Sequence, residues 1–492
     1  MTTRHRIAHF VAIAFALVLA ACARERRDQR PVNARTRSSV DFAAFFTGAT
    51  LRFDYHHGGT ASDEQIAADT LRVEGEWAGS RTRLLDDTDL GKYRVVVDDL
   101  ASGAPIWSRG FASIYGEWET IAEASAGVRR VFHESQRFPE PRAPFRMRVE
   151  KRGDDGEFRE IFRRDADPAD RAVDRSQIVP RGTLRTLHAG GSPDRNVDLL
   201  VLGDGWLDSD AEDFFADAAR LTATLLETEP FRSRRHQLSV RALHVPAAAS
   251  GITDPRGGQW NATPLGLAFN AFDSDRYVLT YRNRELRELA AQAPYDTLMI
   301  LGKTRKYGGG GIFNLWATCA SDSSESPYIF VHEFGHSFAG LADEYYTSPV
   351  SYENFTQPGV EPWEPNITAL LDPAQPKWRE LVTPGTALPT PWNQSAYDAV
   401  SREYQRRREE LVERGAPITE LEALFDEVKR ETGPMLAAEQ HAHAVGAFEG
   451  AGYEAKGLYR PQIDCLMFTR NPGTFCQVCS DAIERVIDLY TQ

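Results

Sequence analysis

The sequence predicts an α+β protein in two parts: a β-sandwich-like first half, then a half in which strands and helices alternate ahead of one helix bearing metal-ligand side chains. Three observations predict it. Between residues 41 and 165 apolar residues recur at every second position, as in Leu51, Phe53 and Tyr55 or Phe145, Met147 and Val149, the period of strands with one buried face. From residue 197 onward, largely apolar runs such as 197–202 alternate with amphipathic stretches, the pattern of a sheet covered by helices. The stretch 326–345 places His332, Glu333 and His336 within one helical turn.

The whole chain sets outer bounds. Its 492 residues are enough for two or three domains with ample core, and 42% hydrophobic and 10% aromatic residues fit a folded soluble protein. A formal net charge of −14 argues against a nucleic-acid partner. Residues 1–21 read as a targeting segment, with Arg4, His5 and Arg6 ahead of an apolar run too short to span a bilayer comfortably. The segment Leu19-Ala20-Ala21-Cys22 resembles the bacterial lipobox. That resemblance implies cleavage before Cys22, a lipid anchor on its thiol and attachment to the cell envelope, with Ala23 favouring the outer membrane. An ordinary signal peptide cleaved at an A-x-A-like site is the alternative. The protein is therefore expected to be exported and to face the periplasm or the surface, with residues 22–40, Arg-rich and aperiodic, as a tether.

The first domain is expected over 41–165 as a small antiparallel sandwich, with turns at HHGGT and RGDDG. His56 and His57 read as a loop pair. Residues 166–196 hold three prolines and many charges without periodicity, and read as a linker. The second domain, 197–492, opens with a buried strand at 197–202. A Gly203-Asp204-Gly205-Trp206 turn follows, then a helix capped by Asp208 or Ser209. No GxGxxG or GxxxxGK[ST] accompanies that turn, which argues against a nucleotide site. Strands are expected at 238–245 and 297–301, with helical residues between Arg282 and Ala291.

Ser326 is the expected N-cap of the central helix, Pro327 its first residue and Gly340 its stop. His332-Glu333-Phe334-Gly335-His336 is an HExxH, with two imidazoles on one face to hold zinc and Glu333 placed to take a proton from water. The metzincin pattern HExxHxxGxxH puts a third ligand three residues after a glycine. Here the glycine comes one residue later and the ligand would be a carboxylate; Asp343 keeps the spacing and is preferred, with Glu344 as the alternative.

Beyond Tyr345 the chain reads as irregular to about residue 390, an expected cleft wall, and then as a charged helical insertion at 396–431. His441 and His443 read as loop or surface histidines. Gln477 to Leu489 forms an amphipathic C-terminal helix. With Cys22 set aside, Cys319, Cys465, Cys476 and Cys479 are an even set, and two disulfides near the active site are the expected use. A second zinc site is disfavoured, since these four sulfurs do not make two CxxC pairs.

HEFGHSFAGLADEY resembles the active-site signature of the bacterial IgA-peptidase-type zinc metallopeptidases, a zincin family; GDGW, YGGGG and Cys465-Leu466-Met467 match as well. The resemblance implies a twisted mixed sheet with active-site and backing helices, and Zn2+ held by His332, His336 and Asp343. It also implies Glu333 as the catalytic base and Met467 as an apolar floor. Gly309, Gly310 and Gly311 would lie at a sheet edge where an extended peptide substrate can add. Where astacin-like metzincins carry a tyrosine, two residues past the methionine, this chain has Thr469, leaving Tyr453 and Tyr459 as candidates for oxyanion stabilisation. The expected function is zinc-dependent cleavage of internal peptide bonds in protein or peptide substrates. The alternative is a surface-anchored adhesin or glycan- or protein-binding lipoprotein on the same scaffold, which would have no need of Glu333.

Overall fold

In the computed structural model, residues 40–348, 350–352 and 356–492 are described; the leader, Cys22 and the tether up to residue 39 lie outside them. The period-two residues of the first half form eight strands: β1 Phe46–Gly59, β2 Glu64–Glu76, β3 Tyr93–Asp99, β4 Pro105–Phe111, β5 Arg130–Pro141, β6 Phe145–Arg152, β7 Phe158–Ala166 and the short β8 Val173–Asp174. They make two four-stranded sheets, ordered β5-β1-β2-β8 and β4-β3-β6-β7. The sheets face each other through aromatic pairs, Phe138 against Trp107 and Phe145, and Phe53 against Phe162. The expected sandwich is present. His56 and His57 lie inside β1, not in a loop, and His57 is buried.

The second half is built on a six-stranded sheet of order β13-β14-β12-β10-β11-β9. Its strands are β9 Thr183–His188, β10 Val197–Asp204, β11 Leu238–His244, β12 Thr297–Gly302, β13 Gly309–Ile312 and β14 Trp316–Ala320. The inner four are parallel, and β9 and β13 run antiparallel at the two edges. Residues 166–196 are thus not a plain linker. Val173–Asp174 pairs with β2, and Thr183–His188 forms an edge of the second sheet. Its mostly exposed side chains gave no apolar period.

Alternate residues of the central strands serve two different interiors. Leu199, Val201, Met299, Leu301 and Ala317 face a core shared by the helices Ala211–Glu227, Ser326–Ala339 and Gln477–Thr491, labelled α1, α2 and α3. Leu200, Leu202, Leu298 and Ile300 face a second core that contains Leu286 and Leu289 of the helix Asn283–Ala290. Ile114, Tyr115, Trp118 and Phe132 of the sandwich half lie in that same core. Hydrogen bonds stitch the junction: Ala112 N–H to Phe313 O at 2.9 Å, Asn283 to Ser135 Oγ at 2.7 Å, and Arg137 to Tyr295 O at 2.8 Å. The sandwich is thus a wall of the same molecule.

The charged segment near residue 400 is a pair of helices, Gln394–Glu413 and Ile418–Ala437, longer at both ends than the expected insertion. A two-stranded hairpin, β15 Phe448–Ala451 and β16 Glu454–Arg460, precedes α3.

Candidate metal centre and cleft

Helix α2 begins one residue earlier than expected, with Glu325 at the N-cap position and Pro327 in the first turn. Its end is as expected: Gly340 adopts a left-handed conformation (φ 62°), and its N–H returns to His336 O at 3.0 Å. A side chain there would also strike Trp363. The turn brings Asp343 back over the helix. His332 Nε2 and His336 Nε2 lie 3.1 Å apart, and Asp343 Oδ1 lies 3.0 Å from the first and 3.3 Å from the second.

Each imidazole is fixed from behind. His332 Nδ1 faces Leu466 O at 3.1 Å, and His336 Nδ1 faces Leu341 O at 2.5 Å. A carbonyl only accepts, so both Nδ1 atoms carry the proton and both Nε2 atoms present lone pairs. Asp343 Oδ2 accepts from the Tyr453 hydroxyl at 2.5 Å, while buried Oδ1 has no hydrogen bond of proper geometry among the described residues. Three electron-pair donors converge on one point. That is the demand of a cation, and two imidazoles with one carboxylate suit a divalent transition metal. The carboxylate and the imidazoles also act strongly on one another. Burial pulls the His336 imidazole down, yet Asp343 outweighs it and lifts the group to about 9. Asp343 is held well below the usual carboxylate range by the imidazoles despite its burial.

Glu344 goes elsewhere. Its buried carboxylate accepts from Asn366 Nδ2 at 3.0 Å and lies 3.2 Å from Cys479 Sγ, away from the imidazoles. Of the two acids weighed in the sequence, the fold brings Asp343 to the histidines.

A cavity of about 620 Å³ opens over His332, Glu333 and His336, lined by both halves of the molecule. Burial raises the Glu333 carboxyl above its ordinary value, with His332 and His336 opposing the shift. Opposite stands Glu117 of the sandwich half, which accepts from the hydroxyls of Tyr277 and, at 3.2 Å, Tyr352. Burial pushes its carboxyl up to about 7 against those two hydrogen bonds. Arg276, whose guanidinium donates to the Tyr345 hydroxyl at 3.1 Å, completes this wall. Glu117, Arg276 and Tyr277 had no signal in the sequence, because they reach the cleft only through tertiary packing.

The chain matches the profile described as IgA Peptidase M64 over residues 186–487, and that described as Peptidase M64 N-terminus over residues 41–163. The chain belongs to the M64 peptidase family. Family membership makes it a metallopeptidase that takes a metal cofactor and protein substrates. No curated protein matches it.

Within this M64 fold the other expected site residues fall as follows. Gly309, Gly310 and Gly311 form β13, an edge strand on the cleft, and a second strand, β14, separates it from α2 in sequence. Packing gives these glycines a reason of their own. A Cβ on Gly311 would lie 2.4 Å from Glu333 O, and one on Gly310 would lie 2.3 Å from the Tyr277 ring. The edge is also partly engaged, since Gly309 exchanges backbone hydrogen bonds with Arg276 and Val278. Met467 is fully buried with its sulfur against Gly335 of α2. Tyr453 reaches the centre through Asp343, whereas Tyr459 pairs with Thr368 outside the cleft lining. His441 and His443 sit in a turn, also outside that lining.

The disulfide expectation is corrected. All four described cysteines are buried free thiols. Cys319 lies on β14 with its sulfur toward Ala320 O, and the other three gather beside Glu344.

Proposed function

We propose that this M64 peptidase is a zinc endopeptidase with Glu333 as general base. The observation that carries the reading is the convergence of His332 Nε2, His336 Nε2 and Asp343 Oδ1, with both imidazoles held in the lone-pair-forward tautomer. A zinc ion held there would supply a Lewis acid and would lower the pKa of water toward neutrality. Glu333, one residue past the first ligand and facing the cavity, takes the proton from the attacking water and returns it to the leaving amine. Tyr453 holds Asp343 Oδ2 and so turns Oδ1 toward the histidines; it acts as a positioning residue.

Cleavage within a chain is the reading we take because the edge strand β13 lines the cleft and suits an extended segment. Lys92 and Lys151 on the sandwich side are engaged by Glu119 and Glu64, so neither is a free charge waiting for a chain terminus. A binding lipoprotein on this scaffold would leave Glu333 without a use. Anchorage through Cys22 and exposure outside the cytoplasm are part of the same proposal, resting on the lipobox-like segment alone.

The test is digestion of a diverse peptide library by the purified protein and its Glu333→Gln variant. Chelator-sensitive internal cuts are expected from the first and none from the second, with bound metal unchanged. Undiminished cleavage by Glu333→Gln would sink the mechanism.

A further inference from the structure

We propose that Cys465, Cys476, Cys479 and Glu344 form a second, structural metal site that takes zinc. The three sulfurs and a Glu344 oxygen all lie within 4.8 Å of one another, and all four residues are buried. Three features mark the cluster as a place for charged ligands. First, backbone amides converge on the sulfurs: Cys476 N–H on Cys465 Sγ at 3.2 Å, Met467 N–H on the same sulfur at 3.5 Å, and Cys479 N–H on Cys476 Sγ at 3.4 Å. A neutral thiol is a weak acceptor; a thiolate collects such donors. Second, Cys476 is the N-cap of the 15-residue helix α3, where the helix dipole favours a thiolate. Third, Glu344 Oε2 is buried with no hydrogen-bond partner among the described residues, an oxygen left over after Asn366 takes its twin.

A buried set of one carboxylate and three thiolates needs a cation. Arg460, the nearby buried guanidinium, turns its two terminal nitrogens to the carbonyls of Gly450 and Ile463 and makes no hydrogen bond to Glu344 or the sulfurs among the described residues. Three sulfurs and one oxygen form a closed four-ligand set that suits zinc and rejects magnesium or calcium. The sequence argued against such a site because only one CxxC is present. The fold supplies the missing half from two distant places, Cys465 and a carboxylate.

The site has a task. Glu344 adjoins Asp343, and its N–H donates to Met467 O at 2.9 Å. Cys465 adjoins Leu466, whose carbonyl holds His332, and precedes Met467, which packs against Gly335. One ion gripping Glu344 and Cys465 would lock together the two segments that aim Asp343 and His332.

The decisive experiment uses the purified full chain carrying His332→Ala and His336→Ala, which removes the first centre whether or not that centre is catalytic. The expected result is one zinc per chain retained. After exchange with cobalt(II), a near-ultraviolet sulfur-to-cobalt charge-transfer band is expected, absent when Cys476→Ser and Cys479→Ser are added. Alkylation after chelation and unfolding without reductant should label Cys319, Cys465, Cys476 and Cys479. Loss of all metal from the histidine variant overturns the proposal. So does a metal-bound form without the charge-transfer band, or protection of two thiols as a Cys465–Cys479 disulfide.

Discussion

At the scale of residues, the centre turns on neighbours that face opposite ways. Asp343 and Glu344 are adjacent in an irregular stretch, yet one carboxylate meets the histidines and the other meets the cysteines. The hydroxyl of Tyr453 decides which Asp343 oxygen is left for a ligand. Replacing Tyr453 with Phe is therefore expected to weaken metal binding at this centre by about 10- to 100-fold while the fold persists. Competition against a graded chelator reads that loss; an unchanged affinity would mean the hydrogen bond is incidental. The histidine pair was legible in the sequence because helical spacing is local and fixed. The choice between Asp343 and Glu344 rested on spacing alone, since it depends on where an irregular turn lands. Glu117 and Arg276 were not legible at all, because residues far from the HExxH in sequence carry no local mark of the cleft they enter.

Among elements, the edge strand β13 packs closely on the helix that carries the histidines. It lies so close to α2 that Gly311 has no room for a methyl group: its Cβ would press on Glu333 O and on His336 Cβ, which lies 2.8 Å away. Gly311→Ala is expected to destabilise the protein by roughly 1–3 kcal/mol and to depress activity by shifting the ligand helix. Gly75 in β2 has open space around its Cβ position, and Gly75→Ala should change stability by less than about 0.5 kcal/mol. Thermal melts of the two variants make the comparison; equal melting temperatures would refute the packing argument. Elements buried on both faces, such as β10, announced themselves through apolar runs. Strand β9 did not, because an edge strand with exposed side chains carries neither an apolar run nor a clear alternation.

For the whole molecule, the sandwich and peptidase halves share one interior, and buried charge as well as apolar surface belongs to it. His57 sits between Glu134 at 3.1 Å and Glu64 at 2.8 Å. Burial alone would lower its pKa, but the two carboxylates, Glu134 foremost, raise it to about 9. Glu64 is held down to about 2, against its own burial, by His57 and Lys151. A folded-state pKa above the unfolded value means the stabilisation is complete below about pH 6.5 and is lost as pH rises through about 9. The amount is on the order of 3 kcal/mol. Urea unfolding at pH 6 and pH 10 should show this fall in the native protein and a smaller one in His57→Phe; parallel falls would contradict it.

The shared interior makes a second claim at this scale. A chain beginning at Thr183 would uncover the face now covered by Ile114, Tyr115 and Trp118. It is expected to aggregate instead of giving a smaller peptidase, and sedimentation of the expressed fragment decides it. A monodisperse, soluble fragment would show that the halves are separable.

The same arrangement has a consequence for what can be digested. A trough whose sandwich bank shares a buried core with the sheet beneath the other bank resists gaping to admit a bulky guest. Whatever reaches Glu333 has to arrive already slack, as one threadlike segment laid along the trough. The target's own local unravelling is then the first sieve, and its side chains only the second.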